Sequence, residues 1–186
     1  MLSYFAERAR GWRVVLPVLA SFVWWQAALM LTGLYPRYAE AQGTPALEES
    51  PFFDAAAAAE RLGAIHAANA EGVAYAVYGL DVVNALLIAA GLAALIGFGL
   101  RGLALERTGA RWLLLAPLSL AVADLLENAL LAVMLAAPDL TSILAGVAGV
   151  ATGVKFGLFM FAAPLAAAGL LVGLGALARR RLLART

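Results

Sequence analysis

Four apolar runs, each long enough to cross a bilayer as a helix, constrain this chain more than any other feature. A hydrocarbon core takes about 20 residues of helix. The runs cover about residues 14–34, 72–100, 112–137 and 141–178. The last exceeds one span, and Pro164 within it predicts a kink, because proline removes a backbone donor and clashes with the preceding turn. The chain is 64% hydrophobic, against roughly 45–50% apolar in soluble domains. The expectation is an all-α integral membrane protein: a single membrane domain over residues 1–186, built as a four-transmembrane-helix bundle with one external loop that carries a short helix.

Arg8, Arg10 and Arg13 lead into the first run. Its length and its Trp24-Trp25 pair read as a retained helix rather than a cleaved signal peptide. Arg101, Arg107 and Arg111 separate runs two and three, and Arg179, Arg180, Arg181 and Arg185 follow run four. The opposite side has Arg37 and Arg61 among Glu40, Glu48, Glu49, Asp54, Glu60, Glu71 and Asp139. The positive-inside rule then puts both termini in the cytoplasm and the protein in the plasma (inner) membrane.

Loop 35–71 is the one sizeable segment outside the spans. Pro36, Gly43, Thr44 and Pro45 predict an irregular first half. Ser50 and Pro51 read as an N-cap and first helical residue, with Asp54 in the first turn and an alanine run at 55–59 behind it. Phe52, Phe53, Leu62 and Ile65 can then lie on the bilayer or the bundle, and a lid packed on the bundle is favoured over a partner-binding surface.

Within the spans, ionisable groups cost about 2.5–3.5 kcal/mol each on insertion scales, so they persist when paired or used. The sole lysine, Lys155, stands in the fourth run, three residues after Thr152. The third run carries Asp124, Glu127 and Asn128 on one helix face. The second carries Tyr78, Asp81 and Asn84, and the first carries Ser21 and Gln26. The third and fourth runs join at Pro138-Asp139-Leu140. Residues equidistant from that turn lie level, so Asp124 faces Lys155 as an intramembrane ion pair and Glu127 faces Thr152. Counting inward from Glu71 places Asp81 at the same depth. Three acids facing one lysine leave a charge imbalance that a proton or a cation must offset. Gln26, His66 and Tyr78 are candidates for the rim. Amides and hydroxyls also act as glue between membrane helices, the bland reading of the same layer.

Gly149, Gly153 and Gly157 form a tandem G-x-x-x-G, which predicts close approach of another helix. That helix is span 3 of the same chain or span 4 of a second copy in a homodimer. Zero cysteines and a single histidine leave no basis for a thiolate or His-cluster metal site, so no metal and no cofactor are expected. No basic patch with interleaved aromatics points to nucleic acid.

ADLLENALL at 123–131 followed by TGVK at 152–155 resembles a family of small four-span membrane proteins that pair an intramembrane D-x-x-E-N with T-x-x-K one helix later. The resemblance covers roughly residues 50–180 and extends to Asp81 after Tyr75 or Tyr78 and to Phe53-Asp54. Where the family carries Gly-Arg before the second span, this chain has Glu71-Gly72. The family brings no activity to transfer, so the resemblance implies an architecture and a site.

Three functions fit these residues. The first is binding or moving a proton, a cation or a small polar substrate. The second is a membrane-embedded enzyme on a lipid or isoprenoid, with Asp124 or Glu127 as acid/base and Lys155 tuning it. The third is a structural subunit whose charges set helix registry. Beyond the lipid bilayer, the implied partners are a small polar or lipid ligand and a second copy of the chain.

Overall fold

Residues 12–43 and 46–183 are described in a computed structural model. Arg8, Arg10, Thr44, Pro45 and Arg185 lie outside them. Every regular element among the described residues is helical. Helix α1 spans Trp12–Trp24 and continues as a π-helical segment, Trp25–Met30. Then come α2 (Leu34–Gln42), α3 (Ala55–Ala67), α4 (Glu71–Gly102), α5 (Leu115–Ala136) behind a 3-10 turn at Gly109–Leu114, and α6 (Thr141–Leu183).

Glu71–Gly102, Gly109–Ala136 and Pro138–Arg180 are each long and apolar enough to cross a membrane. Val14–Met30 and Leu34–Gln42 make a fourth if counted as one bent span. The two members of that pair meet at 63°. Gly33 permits the turn by adopting φ +74°, a left-handed conformation that a β-carbon disfavours. Pro164 sits inside α6, which runs unbroken, so the proline does not end the fourth helix.

The loop departs from its expected form in two places. In its first half, the stretch through Gln42 is helical, not irregular. Pro36 falls in the first turn of α2, where its missing N–H has no intrahelical partner to lose. The second helix starts later than Ser50-Pro51 predicts. Asp54 is its N-cap, in an extended conformation, with its carboxylate accepting the Ala57 N–H at 2.9 Å. The Ser50 hydroxyl is occupied instead by the Ala46 carbonyl, 3.0 Å away.

Contacts group the chain into two compact units. One comprises Phe22–Leu86 and Leu120–Gly157. Its core takes in loop residues together with membrane-length helices: Tyr38, Leu47 and Phe53 are buried with Ile65, Leu131, Met134 and Ala148. From the loop, Ala46, Leu47 and Phe53 are buried in this core, while Glu49, Pro51 and Phe52 stay exposed. The other unit holds the described residues up to Ser21, then Leu87–Ser119 and those from Leu158 on. Here α4 and α6 touch backbone to backbone at Gly99 and Gly169.

Gly149 and Gly153 do admit a close neighbour, but it is the loop and not a helix. A β-carbon on Gly149 would overlap the Phe53 carbonyl, and one on Gly153 would overlap the Phe52 ring. Phe52 donates its backbone N–H to the Gly149 carbonyl at 2.9 Å. Phe52 holds φ +61°, a conformation that costs a bulky side chain on the order of 1–3 kcal/mol and persists where the surroundings impose it. Gly157 faces open space. The pattern read as a helix-packing motif is thus, in its first two glycines, a seat for residues 52–53.

Gly149→Leu should unseat this segment. With no native cysteine, Ala46→Cys reports it: Ala46 is 1% exposed, so thiol labelling is slow in the parent and fast when Gly149→Leu is added. Equal labelling rates would contradict the seat.

Candidate functional site

The polar-layer residues Asp81, Asn84, Asp124, Glu127, Asn128, Thr152 and Lys155, with Gln26, His66 and Tyr78, lie within the unit built from Phe22–Leu86 and Leu120–Gly157, whereas Ser21 falls in the other unit. Lys155 on α6 is its hub. Its ammonium pairs with the Glu127 carboxylate and lies 3.3 Å from Asp124 Oδ1. Both acids are on α5, three residues apart, so one helix face presents both to the same cation. The other Glu127 oxygen accepts the Thr152 hydroxyl at 2.5 Å. Thr152 sits one turn before Lys155 on α6, and it also approaches the Ala148 carbonyl at 3.0 Å. Glu127 and Thr152 are fully buried. The hairpin register therefore brings Asp124 and Glu127 together onto Lys155, a three-membered cluster where symmetric counting pairs Lys155 with Asp124 alone.

Asp81 on α4 is held differently. Asn128 donates to Oδ2 at 3.0 Å and Asn84 donates to Oδ1 at 3.2 Å. Amides stabilise this carboxylate through hydrogen bonds but bring no charge to offset its own. The ion pairs of the layer run from Lys155 to α5.

The sequence reading missed a fourth acid. Glu48 is set aside there as one of several loop carboxylates, yet the loop carries it inward. Tyr38 donates its hydroxyl to Glu48 Oε2 at 2.8 Å, and Gln42 donates to the same oxygen at 3.5 Å. The other oxygen, Oε1, is shielded from solvent without a hydrogen-bond partner. Burial pushes the Glu48 carboxyl above its ordinary range, against the pull of its hydrogen bonds and of the charge on Lys155. The flanking signals were visible: apolar Ala46 and Leu47 precede it, and both are 1% exposed. What periodicity could not supply was the fold-back of a short 3-10 turn, Leu47–Glu49.

Tyr78 is buried one turn before Asp81, with its hydroxyl 3.2 Å from that of Tyr38. It therefore joins α4 to α2 and, through Tyr38, to the loop acid. Tyr35 donates to Glu49 at 2.6 Å, which fastens the same turn to α2. Gln26 lies in the π-helical segment, half-buried, and its backbone carbonyl accepts the Leu31 N–H. His66 pairs with Glu71 at 2.8 Å across the α3–α4 junction and makes no contact with the Lys155 cluster. No group of three or more histidine, cysteine or acidic side chains among the described residues has metal-binding geometry. A cleft of about 430 Å³, lined by Phe98, Arg101, Leu170 and Arg180 among others, belongs to the other unit.

Comparison with protein-family models, curated proteins and solved structures gave no match.

Asn128→Leu should cost about 1 kcal/mol, the typical net worth of one hydrogen bond, since the half-buried Asp81 carboxylate keeps Asn84 as a donor. Adding Asp81→Leu should return part of that loss. Unfolding of the purified protein in detergent measures both, and a neutral Asn128→Leu would contradict the assigned bond.

Proposed function

We propose that this chain is a four-span membrane protein of the plasma (inner) membrane, both termini cytoplasmic, whose buried polar layer binds and releases a proton or a small cation. The membrane reading draws on the helices' outer faces. Large apolar side chains such as Phe22, Val122, Ile143, Met160 and Leu171 are more than half exposed, far more than a water-soluble surface tolerates. Counting α1 with α2 as one bent span gives the fourth crossing. The termini follow from the arginine distribution.

The observation that carries the functional reading is a mismatch of charge. Lys155 is engaged by Glu127 and Asp124 together, while Asp81 has amide donors and Glu48 has a phenol and an amide. Four carboxyls thus share one ammonium. A low-dielectric interior does not hold several uncompensated negative charges, so the layer must take up positive charge from outside. A proton or a small monovalent cation does so without a cluster of metal ligands. A purely structural layer of helix glue is built more cheaply from amides and hydroxyls, which hydrogen-bond without the desolvation cost of ions.

Potentiometric titration of the purified protein tests this. An isolated carboxyl has finished titrating well below neutral pH, near pH ~4. The parent should therefore take up protons between mildly alkaline and mildly acidic pH that the Asp124→Asn, Glu127→Gln double variant does not. Addition of a competing small cation should displace part of that uptake. Superimposable curves for parent and variant would rule the reading out.

A further inference from the structure

The loop acid and the two buried tyrosines form one connected chain. A hydroxyl has a single proton to give. Tyr38 gives its proton to Glu48, so Tyr38 must accept at its oxygen, and Tyr78 is the group placed to donate there. The polarity runs from Tyr78 through Tyr38 to an ionised Glu48. With Glu48 protonated, the same geometry supports the reverse: Glu48 to Tyr38, Tyr38 to Tyr78. A chain with two stable polarities is what proton transfer along hydrogen bonds requires. Its inner end, Tyr78, stands one helical turn from Asp81, and the charges of Glu48 and Glu127 both bear on it.

The surroundings of Glu48 favour this role over a static contact. Its Oε1 is walled off without a donor, an arrangement that disfavours a permanent anion. The groups that face it are Tyr38 and Gln42 from α2 and Tyr78 from α4, with Lys155 of α6 acting by charge alone. Glu49 beside it is occupied by Tyr35 and by the Ala46 N–H, and Arg61 of α3 is spent on the Gln42 carbonyl at 2.9 Å. The ammonium of Lys155 is already shared by Glu127 and Asp124. The nearby cations are therefore committed elsewhere. The segment is held in place mechanically by the seat at Gly149 and Gly153, so Glu48 does not need an ion pair to stay buried.

We propose that Glu48 is the loop-side proton-binding residue of this site, exchanging its proton through Tyr38 and Tyr78 with the carboxylates of the deeper layer. Each transfer is balanced: one proton enters at Glu48, the two phenols hand on one proton each and receive one each, and a carboxylate of the deep layer takes the proton that leaves Tyr78. This narrows the ligand to a proton and rests on the reading of the deep layer given above.

Infrared difference spectroscopy of the full chain in lipid nanodiscs tests it, since a protonated carboxyl has a carbonyl band that a carboxylate lacks. The parent should show carboxyl bands, those of the deep layer among them, and Glu48→Gln, which keeps the shape and an acceptor oxygen for Tyr38, should remove one component. Glu48→Asp should instead move the band and its titration midpoint, and it serves if Glu48→Gln does not fold. Tyr38→Phe keeps the ring and deletes one link, so proton uptake after a pH jump should slow roughly tenfold, about 1.4 kcal/mol of barrier. Seating of the loop follows the same proton. A carboxyl that holds its proton to higher pH when folded stabilises the seated state at acid pH, and that contribution is lost as pH rises through its raised range. Cysteine labelling at Ala46→Cys, divided at each pH by the rate in the denatured chain to remove the thiolate's own pH dependence, should accordingly quicken with rising pH in the parent and lose that excess dependence in Glu48→Gln. A set of carboxyl bands that Glu48→Gln leaves unchanged in every component, or uptake rates untouched by Tyr38→Phe, overturns the proposal. Those outcomes leave the deep layer's own titration intact, whereas loss of the difference between parent and double variant defeats the reading beneath it.

Discussion

One ammonium against a cluster of carboxylates is the interaction on which the rest of this molecule depends. Lys155 draws Glu127 and Asp124 from α5 onto α6, and in doing so fixes the rotation of both helices about their axes. With that register set, Thr152 meets Glu127, and Asn128 faces Asp81 on α4. Lysine suits the position better than any of the arginines elsewhere in the chain. It is a compact point charge with three donors, able to converge on two carboxylates from different turns, where a planar guanidinium favours one carboxylate in a fork.

The loop completes the layer from the other side. A segment that reads as an ordinary connection enters the core because two glycines on α6 leave room for its backbone. The fit imposes an uncommon backbone on Phe52, and the packing of Ala46, Leu47 and Phe53 offsets it. Burying that turn carries Glu48 with it. Hydrogen-bonded phenols then join the loop acid to α4, one helical turn before Asp81.

Much of this was legible in the residues. The lengths of the apolar runs locate α4, α5 and α6, and the offsets D-x-x-E-N and T-x-x-K put the right side chains on facing surfaces. Helical period and a short turn suffice for that, because both act locally. Three features escaped. The bend after Met30 and the helicity of residues 34–42 depend on Gly33 in a left-handed turn and on a proline placed in a first turn, and a Pro-Gly-rich stretch reads as irregular until its neighbours are known. The glycine seat was attributed to a helix because spacing identifies a shallow groove and not its occupant. Glu48 was missed for a related reason. Its burial is a tertiary event, decided by the core that closes over a 3-10 turn and by no pattern in its own segment. A second glycine pair of the same kind, Gly169 and Gly173, lies where α4 does pack backbone to backbone, against Gly99 and the Phe98 ring.

The measurement that tests the central claim most directly is a double-mutant cycle on the hub. Unfolding free energies of the parent, Lys155→Met, Glu127→Leu and the pair of substitutions isolate the interaction between the two side chains. Residues in direct contact couple by about 0.5–3 kcal/mol, and a buried ion pair at the centre of a polar layer should fall in the upper part of that range. Single changes that simply add, within the roughly 0.3–0.5 kcal/mol seen for independent sites, would contradict the account.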